Sequence, residues 1–561
     1  MDTVKFIILI FLFTVSIKTT NAQNSVVLDS TFGVNGKTST TISPEGNLNS
    51  LPSSIRQDDG KIIVAYQFSN YPVLLRYLPD GDLDSTWGQN GIVRTIDSTS
   101  QRNVVLDLHL LDNDQVLLTG YRYLQSGGGF NNIIIKYNSD GSLDQSFGIN
   151  GTANYAHPID IIPSPSATLF VPRSSFVLGA KIYVAGTDNY QNNYGFIAFD
   201  LNTGALDTTF GNNNRLSTDF GWNNNTASHI VCRTTDDNKI RAFIGYRVYQ
   251  LLPDFQVDTN GGFGNNGFIE FPCGITIGSG GGIAHGLEGF SIVKPNKDHN
   301  KHNESFFVTS LDYGGCNLNN QGIVAKYHSN GDLDISFANN GMLNFDFRRD
   351  TTERTYINSV RVLSNDYILV SGGIYKNTYE QTTGKVTKQF AMALFDSNGN
   401  PINSFGNFGN VYRENYFHTT DSIDYLTNSF IQEDDKIVLV GFTPHFYIYD
   451  PSPQGLLEGN MSVILSRYTI QGISEGGGVD LNQETKNNFT IYPNPTNSIL
   501  NIQSDKVIQK VSIYNYLGEL VIQENGQALN QINVEQLNKG IYVIRMTGKD
   551  GNVFNGKFVK E

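Results

Sequence analysis

Residues 83–91 read Leu-Asp-Ser-Thr-Trp-Gly-Gln-Asn-Gly, and the same phrase returns at Leu28–Gly36 (LDSTFGVNG) and Leu143–Gly151 (LDQSFGING). Looser copies stand at Leu206–Asn214 (LDTTFGNNN), Leu333–Gly341 (LDISFANNG) and Ile402–Gly409 (INSFGNFG), with an expanded one at Val257–Gly267 (VDTNGGFGNNG). The aromatic falls at 32, 87, 147, 210, 263, 337 and 405, so the period is near sixty and tolerates insertions. Leu and the aromatic are large apolar anchors four residues apart. The Asp after Leu can accept backbone N–H groups and close a turn. The glycines admit backbone conformations that other residues resist.

Working outward, each period adds a turn and an apolar strand: DDGKIIVAY (58–66), DNDQVLLTGY (112–121), DDNKIRAFIGY (236–246), NDYILVSGG (365–373) and DDKIVLVGF (434–442). A strand ending in an aromatic follows, as in LLRY (74–77), IIIKY (133–137), FIAF (196–199), IVAKY (323–327), MALF (392–395) and ILSRY (464–468). Asp80-Gly81, Asp140-Gly141, Asn330-Gly331 and Asn398-Gly399 come next, and such pairs predict two-residue type I′ hairpins. The expectation is about four short strands per period and no helix. The fold class is therefore all-β: a seven-bladed β-propeller followed by a small C-terminal β-sandwich.

The closure is expected from phase. Seven strand modules lie at about 51–80, 104–140, 176–203, 229–256, 287–330, 357–399 and 426–471, yet the first motif copy precedes them all and none follows the last. A ring reconciles this, because the N-terminal copy completes the seventh blade and removes an exposed sheet edge. An open solenoid would need polar caps, which are not seen. Residues 23–472 give about 64 residues per blade, so the loops are long. The longest insertions, at 154–175, 271–286, 294–304, 376–390 and 443–460, are rich in Asn, Gly, Ser, Pro and Tyr. Such loops suit recognition of a polymer, Tyr by stacking and Asn and Ser by hydrogen bonds.

The repeat resembles the delta-60 repeat family of bacterial surface and secreted proteins. The likeness covers residues 28–409 by motif and extends to about 472 by strand modules. It brings no catalytic residues and no cofactor.

The two ends read as addresses. Met1–Lys5 precedes an apolar run, Phe6–Val15, and Thr20 and Ala22 supply small residues before Gln23. Residues 1–22 thus predict a cleaved signal peptide, the alternative being an uncleaved anchor; no other segment is apolar enough for a transmembrane helix. Residues 473–488 are a Gly-rich polar linker. Residues 489–561 lack the repeat and alternate as strands. Tyr492-Pro493-Asn494-Pro495, Val511-Ser512-Ile513-Tyr514-Asn515 with Gly518, and Leu537-Asn538-Lys539-Gly540-Ile541-Tyr542 resemble the type A C-terminal sorting domain of the bacterial type IX secretion system. That resemblance implies Sec export, engagement of the type IX machinery, and release from the cell or attachment to its surface.

Chemistry is sparse. With 39 Lys+Arg against 53 Asp+Glu, the net charge of −14 excludes nucleic acid and anionic membrane as partners. The G-x-S-x-G of residues 472–476 lies in the linker, where no strand and helix can build a nucleophile elbow. Gly278–Gly282 lacks the Lys-Ser/Thr of a phosphate loop. His299 and His302 sit beside Asp298 and Glu304 in a charged insertion, a metal pair or a solvated loop. Asp80, Asp82 and Asp84 look like half a calcium loop but also fit turn chemistry. Of three cysteines, Cys273 and Cys316 flank one insertion and either pair or stay thiols, and Cys232 is left over. No catalytic, cofactor or metal residue is assigned. Two classes remain, a secreted binding or adhesion module for a polymer such as a glycan, and a secreted hydrolase or lyase on polysaccharide.

Overall fold

The computed structural model describes residues 25–42, 52–68, 71–96, 103–123, 130–156, 170–188, 194–211, 216–218, 230–235, 239–244, 247–271, 289–292, 306–311, 321–350, 353–376, 387–406, 410–414, 424–444, 461–471, 489–504, 506–515, 520–549 and 553–561. The leader, the linker, Cys273, Cys316, His299, His302, Gly278–Gly282, Gly518 and most of the long insertions lie outside them. The chain divides into two compact units, Met1–Gln471 and Gly472–Glu561.

Among the described residues of the first unit seven antiparallel sheets follow one another. Six have four strands in chain order, spanning 53–94, 103–156, 170–218, 230–270, 289–345 and 353–414. The seventh takes Tyr425–Ile431, Ile437–Pro444 and Met461–Gln471 from one end of the unit and Ser25–Leu28 and Lys37–Ile42 from the other. Leu28 pairs with Tyr468, and Lys37 with Ser466. The expected pairing of the first motif copy with the last strand is thus present. Apolar faces bury between successive sheets: Ala65 and Leu74 against Leu118 and Ile135, Phe176 against Ile240, Phe307 against Val370. Val440 and Leu465 of the seventh sheet pack on Val64 and Leu75 of the first.

The repeat motif is the clip between sheets. Asp84 Oδ1 accepts the Thr86 N–H (3.1 Å) and hydroxyl, while Oδ2 takes Arg76 at 2.8–2.9 Å. The guanidinium lies 5.1 Å from the centre of the Trp87 ring and also donates to Ser139 O of the next sheet. Gly88 N donates to Asp140 O at 2.9 Å. Gly141 (φ +86°) sits on Trp87, where a Cβ would come within 2.8 Å of the ring. Asp29 with Arg467, Asp144 with Lys136, Asp207 with Lys181 and Asp334 with Lys326 repeat the ion pair. The sequence marked these Asp residues as turn formers. The cation stands one residue before the strand-ending aromatic in LLRY, IIIKY, IVAKY and ILSRY, whereas Lys181 opens the second strand of its sheet.

The glycine turns differ from expectation. Only Gly81, not Asp80, has positive φ, Gly81 N donates to Leu78 O, and Leu78 N donates to Asp82 O. This is a type I turn with a glycine bulge, which needs one left-handed residue rather than two. Consecutive left-handed residues occur instead in the Asn-Gly pairs of the motif itself, Asn35-Gly36, Asn90-Gly91, Asn150-Gly151, Asn266-Gly267 and Asn340-Gly341, and at Asn113-Asp114 and Asp434-Asp435.

These clips set the acid response. Lys181, then Thr209, hold the Asp207 carboxyl down at about 2. Ser146 depresses Asp144. Burial pushes Asp29, Asp84 and Asp334 up, but hydroxyl, N–H and cation contacts outweigh it. Folded values below the unfolded one mean stability fully present above about pH 4–5 and lost as pH falls toward 2. The expected urea midpoint is flat from pH 7 to 5 and drops below pH 4, and Asp84→Asn reduces that drop. A midpoint that rises on acidification refutes the assignment.

In the second unit, strands at 489–492, 499–504 and 531–533 form one sheet and those at 508–514, 520–525, 540–548 and 553–560 another. Leu500, Ile502 and Ile532 of the first meet Val511, Ile513, Ile544 and Phe558 of the second in one core.

Candidate functional site

The first strand of each sheet in the large unit stands at the end of that sheet, so one of its edges lacks a strand partner among the described residues. Six of these strands, Ser53–Arg56, Asn103–Leu110, Phe170–Leu178, Ile230–Thr234, Glu353–Val362 and Tyr425–Ile431, border a cavity of about 690 Å³. It draws residues from positions 52 to 428, about one strand per period.

A glycine in the neighbouring strand shapes this wall. Val105, Pro172, Ile357 and Leu426 pair with Gly120, Gly186, Gly372 and Gly441, and each first strand then skips one residue. A Cβ at these glycines would lie 2.0–2.4 Å from a carbonyl oxygen of the bulged strand. Where Ile244 occupies the corresponding place in the fourth sheet, no shift occurs. Three of the four skipped residues, Leu106, Asn358 and Thr427, line the cavity, as expected of bulges that re-aim a side chain. The glycines of TGY, AGT, SGG and VGF were visible in the sequence and were the available signal.

Asp107, His109 and Ser175 meet at the wall. Ser175 Oγ lies 2.7 Å from His109 Nε2 and 2.6 Å from Thr119 Oγ1, and Asp107 Oδ2 accepts the Ser175 N–H at 2.7 Å. This is not a catalytic triad, because the carboxylate holds the serine rather than the imidazole, and Ser175 is fully buried. Ser359, Ser371 and Ser429 bond to one another at the corresponding place between the sixth and seventh sheets without a histidine. Both groups cross-link sheets. Burial, and after it the charge of Arg233, lowers the His109 pKa against the pull of Asp107, so the ring is neutral at pH 7.

Arg233 lines the cavity and is exposed there; its Nη1 donates to Cys232 O at 2.8 Å. Cys232 itself is buried, and burial raises its thiol pKa. Asn358 Oδ1 is a buried acceptor with no hydrogen-bond partner among the described residues. No tyrosine borders the cavity among the described residues. The stacking loops expected from sequence fall mainly outside those residues. Asp84 is taken up by Thr86 and Arg76, and Asp80 Oδ1 accepts the Asp82 N–H, so the half calcium loop is turn chemistry.

In the small unit Tyr492, Pro493, Asn494, Pro495 and Lys539 are exposed. Asn494 Oδ1 accepts the Val559 N–H at 2.8 Å and Nδ2 donates to Lys557 O at 3.2 Å. Gly540 pairs with Lys560, and Tyr542 is buried on Phe558 with its hydroxyl on Asn538 O. The two segments therefore meet on the last strand, Val553–Lys560.

Residues 490–561 match the secretion system C-terminal sorting domain, and residues 57–86 and 112–147 match a β-propeller domain of unknown function. The sorting domain marks the protein for secretion or attachment to the cell surface. A 72-residue stretch is 33% identical to the ulvan lyase NLR42 of Nonlabens ulvanivorans, covering 12% of this chain and 14% of the lyase. Among solved structures, the extracellular domain of a hybrid two-component system of B. thetaiotaomicron is 11% identical at a TM-score of 0.34, over 93% of this chain and 58% of that one. An inactive virginiamycin B lyase of Staphylococcus aureus is 10% identical at 0.33, over 76% and 99%. Likeness at that level says nothing about activity.

Proposed function

We propose that residues 25–471 form one seven-bladed propeller closed by both chain ends, and that it binds a glycan or similar extracellular polymer. Residues 489–561 then serve as a β-sandwich export signal, in which Tyr492-Pro493-Asn494-Pro495, Gly518, Lys539, Gly540 and Tyr542 carry the sorting motif. The observation that carries the binding reading is the central cavity. Hydroxyl, amide and guanidinium groups from five sheets surround it, and the histidine and carboxylate from a sixth are both engaged in holding Ser175. Glycoside hydrolysis calls for two carboxylates across one substrate, and Asp107 is the sole carboxylate lining the cavity among the described residues.

The test is a screen of the purified protein against neutral and acidic polysaccharides for binding, with a parallel assay for released oligosaccharides. Binding without release is the expected result. The lyase match gives a second reading, an enzyme acting on polysaccharide, and release of unsaturated or reducing ends would establish it instead.

A further inference from the structure

We propose that the cavity takes the anionic group of an acidic saccharide, a sulfate ester or a carboxylate, with Arg233 as its counter-ion. This rests on the glycan-binding reading and names the class of glycan.

Several arginines of the propeller unit are matched to carboxylates: Arg76 to Asp84, Arg467 to Asp29, Arg413 to Glu353, Arg247 to Glu270. Arg233 has no acidic partner among the described residues, although the chain carries a net −14. Asp107, the carboxylate that shares the cavity wall, is occupied by the N–H and hydroxyl of Ser175.

A second guanidinium reinforces the site. Arg233 pairs with Arg241, His109 with Leu117 and Arg361 with Leu369, so the three occupy one tier of their sheets. Arg361 donates to Ser429 O, Val360 O and Asn428 Oδ1 at 2.7–2.9 Å. Burial, then the charge of Arg233, draws its pKa down to about 10. Two like charges near one cavity repel, and an anion placed there relieves that cost. His109 is neutral, so the positive charge at this tier is guanidinium.

The rest of the wall selects a sugar over a bare ion. Asn358 lines the wall and its buried Oδ1 has no hydrogen-bond partner among the described residues, so a turn of the side-chain amide lets it accept a sugar hydroxyl, a donor that sulfate lacks. Ser53, Thr234 and Thr427 add hydroxyls. The volume, about 690 Å³, is that of a small-ligand site, so a chain end or a few sugar units occupy it.

The test is calorimetric titration of the full-length secreted protein with oligosaccharides of equal length, one sulfated, one uronate-bearing and one neutral, and with sodium sulfate and a hexaglutamate peptide. The expected result is binding of one or both acidic sugars at least tenfold tighter than the neutral one, weakened by salt. Arg233→Gln loses tenfold or more, Arg233→Lys keeps most of the affinity, and Asn358→Asp repels the acidic sugar while the melting midpoint holds. Equal binding of neutral and acidic sugars, or no effect of Arg233→Gln, overturns the anion assignment and leaves glycan binding standing. Binding of sulfate or the peptide as tightly as the sugar overturns the saccharide assignment. Silence toward every sugar overturns both readings.

Discussion

A protein lacking residues 25–42 is expected to lose its cooperative melting transition or to aggregate, whereas the intact chain melts as a folded propeller. The reason is the seventh sheet, whose last two partners come from this segment. Arg467 ties the segment in from several sides. It pairs with Asp29 at 2.8 Å, donates to Thr31 and to Pro79 O of the first sheet, and lies 4.8 Å from the centre of the Phe32 ring. Phe32 is fully buried among residues of the first and seventh sheets. Truncating such a ring costs about 3–5 kcal/mol. Removing one partner of a buried ion pair costs a similar amount. Together they rival a domain's whole stability of about 5–15 kcal/mol. The milder Phe32→Ala is expected to fold with a clearly lower urea midpoint, and Arg467→Met likewise. Should the 25–42 deletion melt within a degree or two of the intact protein, closure contributes nothing.

This closure was legible because it follows from counting: seven motifs and seven strand modules out of phase leave one copy at the start and one vacancy at the end. The β character was equally plain, since the motif's turn residues act locally. What stayed hidden depends on pairing across sheets. The Asp of LDSTWG could be read as a turn former from its neighbours. Its second bond, to Arg76, needs the two strands laid side by side, and so does Trp87 beneath that guanidinium. The bulges were written in Gly120, Gly186, Gly372 and Gly441, but a strand glycine has several uses until the opposite carbonyl is placed. The cavity was least legible, because Asp107, Ser175, Arg233, Asn358 and Asn428 each come from a different period and none belongs to the repeated phrase. The candidate cavity lies on the first strands, while the long insertions expected to bind lie mostly outside the described residues.

Removing residues 489–561 is expected to cut the protein in the medium and on the cell surface by roughly tenfold or more and to leave it cell-retained, with the melting midpoint of the remainder unchanged. The independence follows from the two compact units, each with its own core. Point variants separate the signal from its scaffold. Tyr542→Ala removes a buried ring stacked 5.6 Å from Phe558, costs about 3–5 kcal/mol and unfolds the small unit, so export falls for structural reasons. Lys539→Ala touches an exposed side chain and leaves the unit folded. If the machinery reads the Lys539-Gly540 turn, Lys539→Ala lowers export at unchanged stability. Asn494→Ala falls between, since it deletes a side chain that bonds the last strand at Lys557 and Val559 while leaving the core intact. Quantitative blotting of medium, surface and periplasmic fractions, with melting curves for each variant, reads all three. Normal export of the 489–561 deletion would refute the sorting role outright.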